Sequence, residues 1–186
     1  MENWMIWVAL GIAVFFVVML YNRIIALVQR RKNAFSDIDI QLKLRHDLVP
    51  NLVSTVKGYA AHESGVFEKV TNARAAAMRG GNLQDRAQAE GMLGAAMMNL
   101  LAVAENYPQL KADGSFQRLQ TELADIENKI AAARRFFNNA TNEYNTAIQQ
   151  FPAVVIARLF GFKEEVFFEL DASEKEAVHN APNVSF

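Results

Sequence analysis

The sequence predicts an all-α protein: an N-terminal transmembrane helix continuing into an antiparallel four-helix bundle with two long and two shorter helices, followed by an extended C-terminal tail. Three observations carry that reading. The run from Trp4 to Tyr21 holds no charged residue, and at about 1.5 Å of rise per residue a helix of that length just crosses a hydrocarbon core. Beyond it, apolar side chains recur at alternating three- and four-residue steps, the signature of a helix with one buried face. No stretch with a period of two competes with that rhythm. The expected organisation is an anchor at 1–22, a helical body at 23–162 and a tail at 163–186.

Trp4, Trp7 and Tyr21 stand near the ends of the anchor, where amphipathic rings favour the headgroup zone. A cleaved signal peptide needs a basic start and small residues before the cut; here Glu2 precedes the apolar run and Met19-Leu20-Tyr21 ends it, so the segment reads as an uncleaved anchor. Arg23, Arg30, Arg31 and Lys32 follow with no acid among them. Positive charge is retained on the cytoplasmic side, which puts the N-terminus outside and the body inside. The same four residues can also meet anionic lipid, but fixing topology is the simpler role.

The first long helix continues through Leu27, Phe35, Ile38, Leu42, Val49, Leu52, Val56 and Tyr59, with a bend expected at Pro50 where a backbone hydrogen bond is lost. Ser64-Gly65 breaks the rhythm. Val66, Val70, Ala73 and Ala77 then mark a shorter helix ended by Gly80-Gly81. Asn82 with Asp85 has the chemistry of a helix start, and Leu93, Met97, Leu100, Ala104 and Tyr107 carry a third helix to Pro108. After Asp113-Gly114-Ser115 the fourth runs through Leu119, Leu123, Ile126, Ile130, Ala133, Phe137, Tyr144 and Ile148 to Phe151-Pro152. Connectors this short make successive helices antiparallel. The small residues Ala87, Gly91 and Ala95 suit close helix packing within the bundle in preference to a subunit contact.

Composition narrows function. With 19 basic and 20 acidic side chains the net charge is −1, which gives nucleic-acid binding no support. The absence of cysteine excludes disulfides, thiolate metal sites and a cysteine nucleophile. His46, His62 and His179 are scattered without metal-ligand spacing, and Met78, Met92, Met97 and Met98 read as adaptable core. No phosphate-binding loop, nucleophile elbow or dinucleotide fingerprint occurs, so neither a cofactor nor an enzymatic activity is expected.

Polar residues near the apolar seams are more informative. Arg45 falls between Leu42 and Val49, Arg134 adjoins the fourth helix's seam, and Asp39, Asp47, Asn51, Glu127, Asn138 and Asn145 lie near them. A buried charge must find partners, so these form a candidate network between the two long helices; the alternative is that they edge the bundle in water. The acidic tail is similarly open to two readings. Its composition suits disorder, whereas Phe167, Phe168, Pro182, Val184 and Phe186 suit a strip that docks along a groove or sheet edge.

Several blocks are family-like. Tyr21-Asn22, Ser36-Asp37-Ile38-Asp39-Ile40-Gln41-Leu42, Arg45-His46-Asp47-Leu48-Val49-Pro50-Asn51-Leu52-Val53 and Val56-Lys57-Gly58-Tyr59-Ala60-Ala61-His62-Glu63 closely resemble the signature of the LemA family of bacterial membrane proteins. The resemblance extends through Glu105-Asn106-Tyr107-Pro108-Gln109-Leu110-Lys111-Ala112, Ala133-Arg134-Arg135-Phe136-Phe137-Asn138, Glu143-Tyr144-Asn145 and Phe160-Gly161-Phe162, and the proline-valine-phenylalanine ending is similar too. Phe35 stands where the family usually has Trp, and Phe137 where Tyr is common. The resemblance implies a single span in the bacterial inner membrane, a cytoplasmic helical bundle and an association with HtpX-type membrane metalloproteases. The expected function is a non-enzymatic, membrane-anchored scaffold that forms a higher-order homo-oligomer; the alternative is an adaptor or regulator of such a protease.

Overall fold

The computed structural model describes residues 3–168, and among them every regular element is a helix. In chain order these are α1 (Asn3–Tyr59), α2 (Ser64–Ala77), α3 (Leu83–Glu105), α4 (Pro108–Lys111), α5 (Gly114–Gln149) and α6 (Ala153–Phe160). The four helices expected from periodicity are α1, α2, α3 and α5. Two short elements are additions. The third helix stops at Glu105, and Pro108 opens a separate turn, since a residue without an N–H is at home in the first helical position. The segment after Pro152, where no helix was expected, forms α6.

Local chemistry sets the boundaries. Gly80 and Gly81 take φ values of 71° and 135°, which a side chain tolerates poorly, and so end the turn after α2. The Asn82 side chain accepts from the backbone N–H groups of Gln84 and Asp85, capping α3. Asp113 does the same for α5 through Ser115 and Phe116. Gly161, with φ of 74°, lets the Phe162 N–H reach back to the Ala157 carbonyl at 2.9 Å, a left-handed stop for α6.

The chain forms two compact units, one from residues 3–39 and 132–167, the other from 40–131 with Phe168. In the first, Leu20 and Ile24 of α1, Tyr144 and Ile148 of α5, and Ile156 and Ala157 of α6 make a buried cluster. Phe35 and Phe137, the two positions that depart from the family pattern, lie against each other with ring centroids 5.6 Å apart. The other side of this unit is bare: Trp4, Ile6, Trp7, Phe15 and their neighbours up to Met19 are exposed large apolar groups. This is the single stretch among the described residues long and apolar enough to cross a membrane.

In the second unit the buried apolar residues are Leu42, Val49, Leu52 and Val56 of α1, Phe67 and Val70 of α2, Leu93, Met97 and Leu100 of α3, and Phe116, Leu123 and Ile126 of α5. Helices α2 and α3 pack together. The buried stripe of α3 runs through Glu90, Leu93, Met97, Leu100 and Ala104. That stripe leaves Ala95 exposed and Ala87 and Gly91 only partly covered, so the small-residue row flanks the packed face and does not form it. Of the four methionines Met97 alone is core: Met92 and Met98 lie off the buried stripe of α3, and Met78, at the end of α2, is exposed.

Candidate functional site

The most concentrated polar chemistry lies inside the second unit. Arg45 and His46 are consecutive on α1, and both are buried. Arg45 donates from Nη1 to both carboxylate oxygens of Glu127 on α5, at 3.0 and 3.2 Å, and from Nη2 to Oε2 of Glu90 on α3. The other Glu90 oxygen lies 2.9 Å from His46 Nε2. Arg45 and Glu90 are each only 2% exposed, which makes this a buried ion pair; both Arg45 terminal nitrogens are engaged, while its Nε is buried with no hydrogen-bond partner. Burial pushes the Glu90 carboxyl up, but the His46 hydrogen bond and the Arg45 charge more than offset it, leaving its pKa below the ordinary value.

Pro50 belongs to the same construction. A proline inside a helix cannot donate to the carbonyl four residues back, here that of His46. That carbonyl instead accepts from Arg74 Nε of α2 at 2.7 Å. α1 continues as helix through Pro50 to Tyr59, as expected.

The first unit holds a second polar cluster, around the start of the tail. Asn145, buried on α5, donates from Nδ2 to the Glu165 carbonyl and accepts at Oδ1 from the Glu165 N–H, both at 2.9 Å. Its amide thus pairs with the extended chain as a neighbouring strand would. Tyr144 donates its hydroxyl to the Lys163 carbonyl at 2.9 Å. Arg31 reaches Thr141 Oγ1 and the Val166 carbonyl, forms an ion pair with Glu165 at 3.2 Å, and lies 4.8 Å from the centroid of the Phe137 ring.

The sequence-derived candidates divide accordingly. The structure brings Arg45 and Glu127 together across the two long helices, and gives Asn145 a backbone partner in the tail. Asp47 pairs with Lys43 at the surface of its own helix, and Asn51 is exposed, so neither enters the buried network. Asp39, Arg134 and Asn138 are half-buried. Of the topology cluster, Arg30 pairs with Glu143 and Arg31 is held as described, while Arg23 and Lys32 are exposed. In the tail, Phe168 is buried and Phe167 is 42% exposed; Pro182, Val184 and Phe186 lie outside the described residues. Sequence reasoning missed Glu90, His46, Arg74, Thr141 and Glu165. Glu90 had a readable signal, since it sits one three-residue step ahead of Leu93 in the seam of α3.

Both clusters are built from residues within the segment 34–186, apart from Arg31, and the sequence profile of the LemA family matches that whole segment. The chain belongs to the LemA family. Among curated proteins it is similar to the magnetosome protein MamQ of Magnetospirillum gryphiswaldense, at 26% identity in an alignment of 176 residues that covers 81% of this chain and 65% of that relative. It is likewise 25% identical to the magnetosome proteins MamQ 1 and MamQ 2 of Paramagnetospirillum magneticum, with the same coverage. The chain therefore spans about 65% of the length of the curated relatives it matches.

The LemA-like blocks contain Arg45, His46, Pro50 and Asn145, residues that tie helices and tail together. Each Glu90 oxygen is engaged by a cation or a ring nitrogen, and the carboxylate is buried. No group of three or more His, Asp or Glu side chains among the described residues is placed to hold a metal ion. The arrangement braces helices.

Proposed function

We propose that this LemA-family chain is a non-catalytic scaffold anchored in the membrane by residues 1–22, its helices α1, α2, α3 and α5 forming an antiparallel bundle that assembles into a higher-order homo-oligomer on the cytoplasmic side. The observation that carries the reading is the two-fold use of α1. One uninterrupted helix presents bare apolar side chains from Trp4 to Met19 and, farther on, supplies Arg45 to a sealed brace. An exposed apolar surface of that size is stable in lipid and costly in water. The relatives' designation as magnetosome proteins supports a structural role over a catalytic one. Confinement of anchored copies to a plane raises their effective concentration, so weak contacts suffice for assembly.

Light scattering coupled to gel filtration of the full chain in mild detergent tests the proposal. A large, uniform particle is expected. A monomer would overturn the scaffold reading and favour an adaptor that acts on an HtpX-type membrane protease.

A further inference from the structure

Helix α6 has two apolar faces, and only one is covered. Ala153, Ile156 and Ala157 pack on the cluster containing Leu20 and Ile24 of α1, and Tyr21 meets the rings of Phe160 and Phe162 at 4.9 and 5.9 Å. Phe160, though its ring meets Tyr21, stays 53% exposed, and on the other side Phe151 is 84% exposed, Val155 56% and Leu159 75%. Val155 and Leu159 are one turn apart and so share a face. Four large apolar groups in so short a segment are an unusual surface to present to water.

The position of α6 along α1 says what covers that surface. Its partners Leu20 and Tyr21 are the last residues of the uncharged run, and Ile24 is one turn beyond. The exposed face of α6 therefore continues the bare apolar surface that ends at Met19. Polar groups begin immediately on the far side. Arg23, Arg30, Asn142, Glu143 and Gln150 line an open groove of about 570 Å³, at the level where headgroups meet a helix leaving a bilayer. Arg158 is the one charge on α6; it is exposed, and a side chain of its length can bury its stem while its head reaches water.

We propose that α6 and the preceding Phe151 form a second membrane contact, with Phe151, Val155, Leu159 and Phe160 inserted into the leaflet beside the anchor. The inference rests on the reading of α1 as a membrane span. A helix lying at the interface places its apolar face about 5–10 Å into the headgroup and acyl boundary. Because α6 is packed on α1 and follows α5 directly, its insertion holds that unit of the protein against the bilayer at two points and restricts its swing about the anchor.

The chain has no cysteine, so single labels are straightforward. Val155→Cys and Leu159→Cys, with Val14→Cys as a label in the span and Ser115→Cys as one in water, would each carry an environment-sensitive fluorophore on the full chain. The labelled proteins are reconstituted in phosphatidylcholine–phosphatidylglycerol vesicles, with and without lipids bearing a nitroxide high on the acyl chain. Labels at Val155 and Leu159 are expected to lose most of their emission to the nitroxide lipid, as Val14 does, while Ser115 is unaffected. Quenching at Val14 with none at Val155 or Leu159 would overturn the α6 contact and leave the span intact. Absence of quenching at Val14 would overturn the span, and the proposal with it. Labels at Val155 and Leu159 shielded from both nitroxide lipid and an aqueous quencher would mean that a second protein copy covers α6, which also refutes membrane insertion.

Discussion

Replacing Arg45 by alanine should destabilise the protein more than any other single substitution of an arginine on α1. Arg45 is 2% exposed, and its guanidinium is shared by Glu90, also 2% exposed, and Glu127, whose side chain is 40% exposed. Its loss lets Glu127 turn to water at little cost but leaves Glu90 a buried carboxylate with His46 as its remaining side-chain partner. Breaking a buried pair from one side costs about 3–5 kcal/mol, and the surviving His46 bond points to the lower end. For a chain of this size each kcal/mol lowers the melting temperature by about 2–4 °C, so a fall of about 6–12 °C is expected by far-UV circular dichroism of the full chain in detergent. Arg79→Ala is the reference: that side chain is exposed, it donates to the Ala75 carbonyl four residues back, and its loss should cost within about 0.5 kcal/mol. Arg45→Met separates charge from packing, since it fills much of the volume; adding Glu90→Gln to it should recover most of the loss. Equal melting temperatures for Arg45→Ala and Arg79→Ala, or a neutral Arg45→Met, would refute the buried-pair argument. The pH dependence has a fixed sign. The folded Glu90 pKa lies below its ordinary 4.5, so the native state holds fewer protons than the unfolded chain, and its stabilisation is present above that value and lost as pH falls through the folded one. Asp47 and Asp113, lowered by hydrogen bonds first to Lys43 and to the Phe116 N–H respectively, act in the same direction, so the Glu90 share is the difference between wild type and Glu90→Gln measured below pH 4.5.

Three further outcomes are expected. Arg74→Ala should cost about 1–3 kcal/mol in the wild type by orphaning the His46 carbonyl, and distinctly less in a Pro50→Ala background where the helix supplies its own donor; an additive double-mutant cycle would show that Pro50 and Arg74 are not coupled. Asn145→Ala removes both hydrogen bonds to Glu165, and protease cleavage near residues 163–168 in the folded protein should become faster; unchanged cleavage would show that the amide does not hold the tail. For topology, single cysteines at Ser115 and Glu2 treated in intact cells with a membrane-impermeant thiol reagent should be modified at Glu2 alone, and modification at Ser115 alone would reverse the assignment.

The long helices were legible because a buried stripe leaves a three-and-four rhythm over many turns, as in Leu42, Val49, Leu52 and Val56. Helix α6 was not, because it is eight residues long and apolar on both faces, so no alternation marks it and Pro152 read as a terminus. Among polar residues, Arg45 was conspicuous as a charge in an apolar seam. Glu90 occupies an equivalent place in α3, one three-residue step before Leu93. The pairings were beyond a single sequence in any case, since Glu90 and Glu127 lie 45 and 82 positions from Arg45. Asn145 resembled a network side chain, yet its partner is backbone, and backbone partners leave no residue-type trace. Of the tail residues expected to dock along a groove, Phe168 is buried within the chain, so a truncation meant to test subunit linkage should begin after Phe168.

On the proposed topology, the basic cluster after the anchor would act at two stages that differ in what it faces. When α1 enters the membrane, Arg23, Arg30, Arg31 and Lys32 are uncompensated, because Glu143 and Glu165 lie more than a hundred residues ahead in sequence and are made later. That is the state in which charge decides orientation. Once the fold closes, Glu143 takes Arg30, and Glu165, Thr141, the Val166 carbonyl and the Phe137 ring take Arg31, leaving Arg23 and Lys32 exposed. Arg30 and Arg31 then fix α1 to α5, and Arg31 also to the start of the tail. A substitution that conserves charge but not geometry, such as Arg31→Lys, should therefore leave orientation unchanged while loosening residues 163–168, since lysine cannot supply the forked donors that hold Thr141 and Val166 together. On the proposed topology, orientation and tertiary clasp would thus be separable roles of one short basic run.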